Sequence, residues 1–283
     1  MVSLPSPVIF SLGHFQLRWY GLFAVLAMLT GYGLMVRRRR RYGFSVEDLS
    51  LLLNVSVIFG IIGARLEFVR RFWGELFAQD LLGVFRVWEG GLVFQGGFVV
   101  AAVAIFFLCR RKKWSVGQVG DLMAPALPAA HAVARLGCLL NGCCFGIPWH
   151  HCGAVLYPAQ GNDVLNTQIQ QGLLSPEAGA TLSPLPVLPV QALETLWCLL
   201  VAGLLLLAEK RGLARGRLFF LYLLGYSVGR FLLEFLRGDY HHAGVLTPAQ
   251  WTTALVILPA TLAAFLWTKY RQTHPRPQEK QRP

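Results

Sequence analysis

Two stretches of this 283-residue chain place charged side chains within otherwise apolar sequence. The first, "ARLGCLLNGCCFG", contains Arg135 and Asn141, and the second, "YSVGRFLLEFLRGD", contains Arg230, Glu234 and Arg237. Arginine suits phosphate because its planar guanidinium stays charged and gives two parallel hydrogen bonds. Arg230 and Glu234, four residues apart, share one helical face, so they are either an ion pair that locks helix packing or part of a site. Arg237 lies near the predicted helix end, where a long side chain is expected to snorkel.

A third stretch, "VWEGGLVFQGG", adds four glycines with Glu89 and Gln95. Glycine pairs in membrane helices often form a packing face, which is one interpretation of this stretch. The other is a close backbone approach or a re-entrant turn at a site, to which Glu89 and Gln95 would supply polar groups.

The cysteines near Asn141 allow several interpretations. Cys138, Cys143 and Cys144 lack the paired CxxC spacing of structural zinc sites, so the spacing argues against zinc. A disulfide among these three and Cys152 is open, with its connectivity unreadable from sequence. Packing as small apolar groups is the third interpretation.

Composition indicates that the solvent around these stretches is a lipid bilayer. The chain is 55% hydrophobic and only 14% charged, with a mean hydropathy of +0.50. Apolar runs long enough to cross a bilayer recur along it. We predict an all-α polytopic membrane protein with about seven transmembrane helices, near residues 17–36, 49–69, 91–109, 119–140, 187–208, 217–236 and 249–268. Arg65, Arg135 and Arg230 lie well inside these runs, where a charge is costly and usually has a partner or a function.

The basic residues predict the orientation of these helices. Eighteen of the 26 lysines and arginines follow the ends of the odd-numbered spans. The positive-inside rule makes that face cytoplasmic, which puts the N-terminus outside and the C-terminus in the cytoplasm. This distribution also argues that the net charge of +12 serves membrane topology and does not bind nucleic acid.

The chain is predicted to hold one integral-membrane domain, residues 1–268, followed by a polar cytoplasmic tail, 269–283. The longest segment between spans, about 141–186, predicts a small outer head between helices four and five. Within it, "CGAVLYPAQGND" is compatible with a short strand and turn, and "LSPEAGATLSPLP" with a loop.

Taken together, these motifs resemble the prolipoprotein diacylglyceryl transferase family. They occur in family order along nearly the whole chain: "LRWYGL", "GARL", "VWEGGLVFQGG", "ARLGCLLNGCCFG", "PVQALE", "GRFLLEFLRGD" and "LTPAQW". The resemblance implies seven transmembrane helices with the N-terminus outside and the C-terminus inside.

The resemblance also implies an activity. The family transfers the diacylglyceryl group of phosphatidylglycerol to the lipobox cysteine thiol of prolipoproteins, the first step of bacterial lipoprotein maturation, and releases glycerol phosphate. The implied partners are phosphatidylglycerol, prolipoprotein signal peptides with a lipobox cysteine, and membrane lipids, with no cofactor and no metal. The implied location is the bacterial cytoplasmic (inner) membrane, as a multi-pass protein with its active site toward the outer leaflet.

Site residues follow from the same motifs. By resemblance, Arg135 and Arg230 bind the lipid phosphate, and Glu234 orients Arg230. The other substrate-binding positions implied are Tyr20, Asn141, Gly142, Gly146, Gln191, Glu194 and Gln250.

Gln95 departs from the family pattern. Many members carry a histidine there, proposed as the base that deprotonates the thiol, and glutamine cannot take a proton at neutral pH. From the resemblance as a whole, we expect the chain to be a transferase that works without this histidine as its base. Two alternatives remain: a non-catalytic or functionally altered paralogue that binds phospholipid, and a transporter, which the lack of a visible inverted repeat disfavours.

Overall fold

The structure is a computed structural model that describes residues 1–12, 15–77, 80–87, 90–175, 182–213, 216–239, 246–247, 250–251 and 253–273. The chain divides into two compact units. Unit 1 comprises Met1–Leu34 and Met123–Pro283, and unit 2 comprises Met35–Leu122. The predicted tail falls partly outside the described residues, because the last helix extends to Thr273 and 274–283 are not described.

Helices dominate the described residues, as the composition predicted. Their bounds are α1 Trp19–Tyr42, α2 Val46–Arg71, α3 Phe94–Lys112, α4 Val116–Met123, α5 Ala126–Asn141, α6 Val164–Gln170, α7 Val190–Lys210, α8 Leu218–Glu234 and α9 Leu258–Thr273. The strands are short: β1 Val2–Ser3, β2 Val8–Leu12, β3 Phe15–Arg18 and β4 Val155–Leu156.

Four helical stretches among the described residues are long and apolar enough to cross a bilayer: Trp19–Tyr42, Val46–Arg71, Val116–Asn141 and Val190–Lys210. A multi-pass membrane protein is therefore supported. Helices also occupy the other three predicted ranges: α3 has 19 residues, α8 has 17, and α9 has 16 and directly follows a π-helix over Thr253–Ile257. The count of seven spans and their orientation remain predictions.

The predicted fourth span is two helices, α4 and α5, separated at Ala124 and Pro125. Proline cannot continue a helix without losing a hydrogen bond and crowding the preceding turn, which explains the break. Asp121, in α4, is fully buried.

In unit 1, α5 packs on α7, and α7 packs on α8. Close approach is possible because glycines face neighbouring helices. A Cβ at Gly137 of α5 would lie 2.6 Å from the Phe23 Cβ of α1, and a Cβ at Gly229 of α8 would overlap the Trp197 indole of α7. The backbones that carry the polar residues are thus held at short range.

The segment between α5 and α7 folds against the N-terminus of the chain. β4 pairs in parallel with β1, and Val187 forms a bridge to Val155. The apolar side chains beneath these pairings form a small core made of Phe145, Val155, Tyr157, Val164 and Val187. The strand predicted in "CGAVLYPAQGND" is present as β4, and residues 182–186 of the predicted loop have no helix or strand.

In unit 2, α2 and α3 pack along a glycine seam. A Cβ at Gly97 would lie 2.7 Å from Gly60 O, and Gly63 and Gly96 meet backbone to backbone. The second half of "VWEGGLVFQGG" is therefore a packing face. Gly90 and Gly91, in its first half, adopt positive φ, and their carbonyls accept hydrogen bonds from Arg65 Nη1 at 2.8 and 3.2 Å.

Candidate functional site

A chain of buried opposite charges runs through unit 1. Arg135 Nε lies 2.7 Å from Glu194 Oε2, and Arg230 Nη1 lies 3.4 Å from Glu194 Oε1. Arg230 Nη2 lies 2.8 Å from Glu234 Oε2. These residues come from α5, α7 and α8, so three helices contribute to one cluster, which we call the charge chain (Arg135, Glu194, Arg230 and Glu234). The arginines predicted to share a site do share one, and Glu194 is the carboxylate between them.

Arg135 is oriented by its own helix. Its Nε–H donates to His131 Nε2 at 3.0 Å, one turn earlier on α5. Glu194 Oε2 has no aligned hydrogen-bond donor among the described residues, so its contact with Arg135 is a charge contact. The terminal nitrogens of Arg135 make no hydrogen bond to an oxygen in the described part of the chain; Nη1 contacts only Cys138 Sγ, at 3.9 Å. The mostly buried guanidinium thus keeps its terminal nitrogens free of oxygen acceptors in the described part of the chain.

Glu234 contacts Arg230 through Oε2 and is held by a hydrogen bond at its other carboxylate oxygen, Oε1. Thr247 Oγ1 donates to Glu234 Oε1 at 3.0 Å. Gln250, which is buried, fixes that threonine by accepting from Thr247 N–H at 2.9 Å, and its own Nε2 donates to Phe231 O. Gln250 therefore acts on the cluster through Thr247, and its side chain is engaged by backbone groups.

Arg237 does not snorkel, which corrects the expectation from sequence. It is only 3% exposed, and its Nε donates to Asp239 Oδ1 at 2.9 Å and lies 3.8 Å from Glu234 Oε2. Helix α8 ends at Glu234, so Arg237 turns back toward the helix end instead of continuing along its face. It extends the charge chain by one cation and one carboxylate.

The spacing between α7 and α8 sets the distance from Glu194 to Arg230. Trp197 Nε1 donates to Gly225 O at 2.9 Å, and the missing side chain of Gly229 makes room for the indole. A small cavity opens beside them, lined by His131, Glu194, Trp197, Tyr226, Gly229 and Arg230 among others. The His131 and Tyr226 rings lie 5.3 Å apart between centroids.

Glycines and side-chain hydrogen bonds shape the C-terminal end of α5. Gly142 caps the helix at φ 73°, a conformation that strains other residues. A Cβ at Gly146 would lie 2.5 Å from Leu188 O, so only glycine fits there. Asn141 Oδ1 is buried without a hydrogen-bond partner among the described residues.

Gln191 joins this segment to the first turn of α7. Its Nε2 donates to Cys143 O at 2.8 Å and to the Tyr157 hydroxyl at 3.2 Å, and its Oε1 lacks a partner in the described part of the chain. Tyr157 in turn donates to Leu139 O at 2.9 Å. Burial raises the pKa of the Tyr157 hydroxyl, so it remains a donor.

The turn after α5 also gathers Cys138, Cys143 and Cys144, which we call the thiol cluster. Their sulfur atoms all lie within 4.8 Å of one another, and all six cysteines of the chain are free. The spacing in sequence did not indicate this cluster. It arises because Gly142 and Cys143 N–H both donate to Cys138 O, which folds the chain back over the last turn.

Two predicted site residues, Tyr20 and Gln95, are not members of the charge chain. Tyr20, in the first turn of α1, has its backbone beside Gly137, and its side chain is 51% exposed. Gln95 is an exposed residue in the first turn of α3 and belongs to unit 2. Glu89 lies outside the described residues.

Several residues of the site were not predicted from sequence. His131 had a readable signal, because it precedes Arg135 by one helical turn. The roles of Trp197 and Thr247 depend on contacts between separate segments of the chain, and no local pattern marks them. Asp239 lies only two residues from Arg237, but their contact depends on the turn that follows α8.

Comparison with known proteins places these features in context. The family described as prolipoprotein diacylglyceryl transferase matches residues 7–267. A phosphatidylglycerol–prolipoprotein diacylglyceryl transferase of Pseudoalteromonas atlantica is 32% identical, over 85% of this chain and 78% of that protein. Proteins of the same name are 31% identical in Rhodococcus jostii, over 96% of this chain and 77% of that protein, and 29% identical in Parasynechococcus marenigrum, over 96% and 97%.

Proposed function

The chain belongs to the prolipoprotein diacylglyceryl transferase family, and on that basis we propose that it transfers the diacylglyceryl group of phosphatidylglycerol to the lipobox cysteine of prolipoproteins. This is the activity that the names of its relatives state. The observation within the chain that supports it best is Arg135, a mostly buried arginine whose terminal nitrogens donate to no oxygen among the described residues.

The reaction exchanges one bond for another at a glycerol carbon. The substrate thiol loses its proton to water, its sulfur forms a bond to the terminal carbon of the diacylglyceryl group, and the bond from that carbon to the phosphate oxygen breaks. Glycerol phosphate leaves with the bonding electron pair. Negative charge therefore grows on the phosphate in the transition state, and cations fixed beside it lower the barrier.

Arg135 and Arg230 supply those cations in our proposal. Glu194 lies between them, so the lipid phosphate takes over the contacts that Glu194 makes with the two arginines. The terminal nitrogens of Arg135 can bind two phosphate oxygens while its Nε–H stays on His131. Glu234, held by Thr247, keeps Arg230 in place.

The thiol needs no strong base in this arrangement. A cysteine thiol has a reference pKa of about 8.5, and neighbouring cations lower it. Arginines that bind the phosphate therefore also favour the thiolate.

Asn141, Gly142, Gly146 and Tyr20 are proposed to line the substrate site. Gln191, Glu194 and Gln250 complete the substrate-binding set without contacting the substrate: Gln191 and Gln250 hold its framework, and Glu194 is the carboxylate that the phosphate displaces from the two arginines. Gln95 is proposed to hold the thiol or a lipid oxygen by hydrogen bonding.

The finer placement in the cell is also a proposal. The excess of basic residues after the odd-numbered predicted spans supports seven spans in the bacterial inner membrane. The site would then lie toward the outer leaflet, and residues 141–186 would form an outer head. The lipobox signal peptide of a prolipoprotein would reach the site from that side.

Two experiments test the activity. The purified protein should transfer label from phosphatidylglycerol to a lipobox peptide and release glycerol phosphate. The gene should also restore growth to a bacterium depleted of its own transferase. Binding of phosphatidylglycerol without transfer, together with failed complementation, would overturn the proposal in favour of a phospholipid-binding paralogue.

A further inference from the structure

The thiol cluster beside Arg135 has the composition of a metal site that the transfer reaction does not use. Its three sulfur atoms come from the last turn of α5 and the two residues after Gly142. All three lie within 4.8 Å of one another, and Cys138 is buried while the other two are partly buried. We propose that Cys138, Cys143 and Cys144 form a three-thiolate site for Cu(I).

The geometry requires only a small adjustment. A metal about 2.3 Å from each of three sulfurs, with the metal in their plane, holds the sulfurs about 4 Å apart. The present separations exceed that by less than about 1 Å. Side-chain rotation is sufficient for such a closure, so the helix and the turn can stay in place.

The backbone at Cys144 is a second, independent observation. Cys144 has φ +60°, a left-handed conformation that is uncommon outside glycine. Holding such a residue costs of order 1–3 kcal/mol, and residues of this kind concentrate at ligand sites. The conformation at Cys144 forms part of the turn that carries all three sulfurs to one point.

The number of ligands selects the ion. Structural zinc almost always takes four protein ligands, and the described residues offer no fourth cysteine, histidine or carboxylate in this group. Soft thiolates select Cu(I), which is stable with three of them in a plane. Each thiol loses its proton on binding, so the complex carries net negative charge. Arg135 Nη1, 3.9 Å from Cys138 Sγ, compensates part of that charge.

The test uses the full-length protein in detergent, reduced and then freed of reductant under nitrogen. Cu(I) is titrated in competition with bicinchoninate, a coloured Cu(I) chelator, and X-ray absorption reports the coordination. We expect one Cu(I) per chain, with three sulfur ligands. Retention of no Cu(I), or coordination by two or four ligands, would overturn the proposal. Peptide mapping of the protein before reduction that finds a disulfide among Cys138, Cys143 and Cys144 would overturn it as well, because the disulfide would have consumed the ligands.

Variants assign the site to these residues. Cys144→Ser should weaken Cu(I) binding by more than about 100-fold, which is what loss of even an outer-shell partner can cost. Cys144→Gly removes the same ligand while suiting the left-handed backbone, so it keeps the test valid if the serine variant is unstable. Cys152→Ser, at an exposed cysteine outside the cluster, is the matched control. Equal weakening in the control, or unchanged affinity in Cys144→Gly, would contradict the assignment. These readouts do not involve transfer, so they are independent of the proposed function.

Discussion

At the scale of single residues, Arg135 combines a mostly buried charge with terminal nitrogens that donate to no oxygen among the described residues. Arg135→Ala and Arg135→Lys should each reduce transfer from phosphatidylglycerol by at least about 100-fold, the usual cost of losing one donor to a developing oxyanion. Lysine fails because its ammonium lacks the planar fork through which a guanidinium binds two phosphate oxygens side by side while its Nε–H stays on His131. The measurement is the initial rate of transfer, normalised to the amount of protein in the membrane.

Arg70→Lys is the control for that experiment. Arg70 is a well-exposed arginine that pairs with Glu67 one turn earlier, and such surface pairs contribute little. Its variant should transfer at the native rate. Near-native transfer by Arg135→Lys would show that a generic positive charge is enough at position 135.

Glu194 leads to a different prediction, because it neutralises two arginines at rest. In Glu194→Gln those arginines lose a counter-ion, so the lipid phosphate should bind more tightly and KM for phosphatidylglycerol should fall. The rate constant kcat should fall about 100-fold, as expected when reacting groups shift by about 1 Å. The variant should also melt at a lower temperature without lipid, because buried cations are left unpaired.

Steady-state kinetics over a range of phosphatidylglycerol concentrations in mixed micelles separates the two constants. If KM rose and kcat stayed constant in Glu194→Gln, the carboxylate would be a ligand of the substrate and not a resting counter-ion for Arg135 and Arg230.

Gln95 tests whether a dedicated base is needed. We expect the native protein to be active and Gln95→His to change its rate by less than about 100-fold, the lower end of what a general base contributes. The physical reason is that cations beside the thiol already favour its ionised form. The measurement is transfer to a lipobox peptide across about pH 6–9, a range around the reference thiol pKa. An inactive native protein with an active histidine variant would refute this expectation.

At the scale of elements, the contact between α7 and α8 holds Glu194 beside Arg230. Gly229→Ala would drive a Cβ into the Trp197 indole, and such overpacking typically destabilises by about 1–3 kcal/mol. We therefore expect a lower melting temperature in detergent and a strongly reduced transfer rate. Both follow from a displacement of α8 that separates Arg230 from Glu194.

Gly203→Ala is the matched control, since Gly203 lies in α7 with no neighbouring atom within 4 Å of the added Cβ. Alanine favours helix over glycine by roughly 1 kcal/mol, so this variant should be as stable as the native protein or slightly more so. Equal loss of stability in both variants would mean that the tight contact at Gly229 does not cause the destabilisation of Gly229→Ala.

The sequence predicted the helices better than it predicted the site. Apolar length was enough to place the helical ranges, because it acts locally. The division of the predicted fourth span into α4 and α5 at Pro125 was not predicted, although that proline explains it. The pairing of Arg135 with Glu194 was not predictable from spacing, since it depends on how α5 packs against α7. The burial of Arg237 and the gathering of the three cysteines depend on turns at a helix end, where sequence periodicity carries no information.

At the scale of the whole molecule, the basic residues that follow the odd-numbered predicted spans indicate one cytoplasmic face. Reporter domains fused after Arg41, Lys113, Arg215 and Arg271 should all report the cytoplasm, and a reporter near Gly161 should report the outside. An alkaline phosphatase and a fluorescent protein, active on opposite sides of the membrane, serve as paired reporters at each position. One reversed loop would contradict the seven-span arrangement.

The position of Glu194 between two arginines has a consequence for turnover. Glycerol phosphate leaves with more negative charge than the lipid phosphate brought in, and two fixed cations alone would hold it as a tight product complex. In the proposed mechanism Glu194, which is tethered to α7, would return to both arginines when the product moves away. Such a carboxylate would act as an intramolecular competitor at high local concentration and would favour product release. We therefore expect Glu194 both to oppose the binding of phosphatidylglycerol and to let the next catalytic cycle begin.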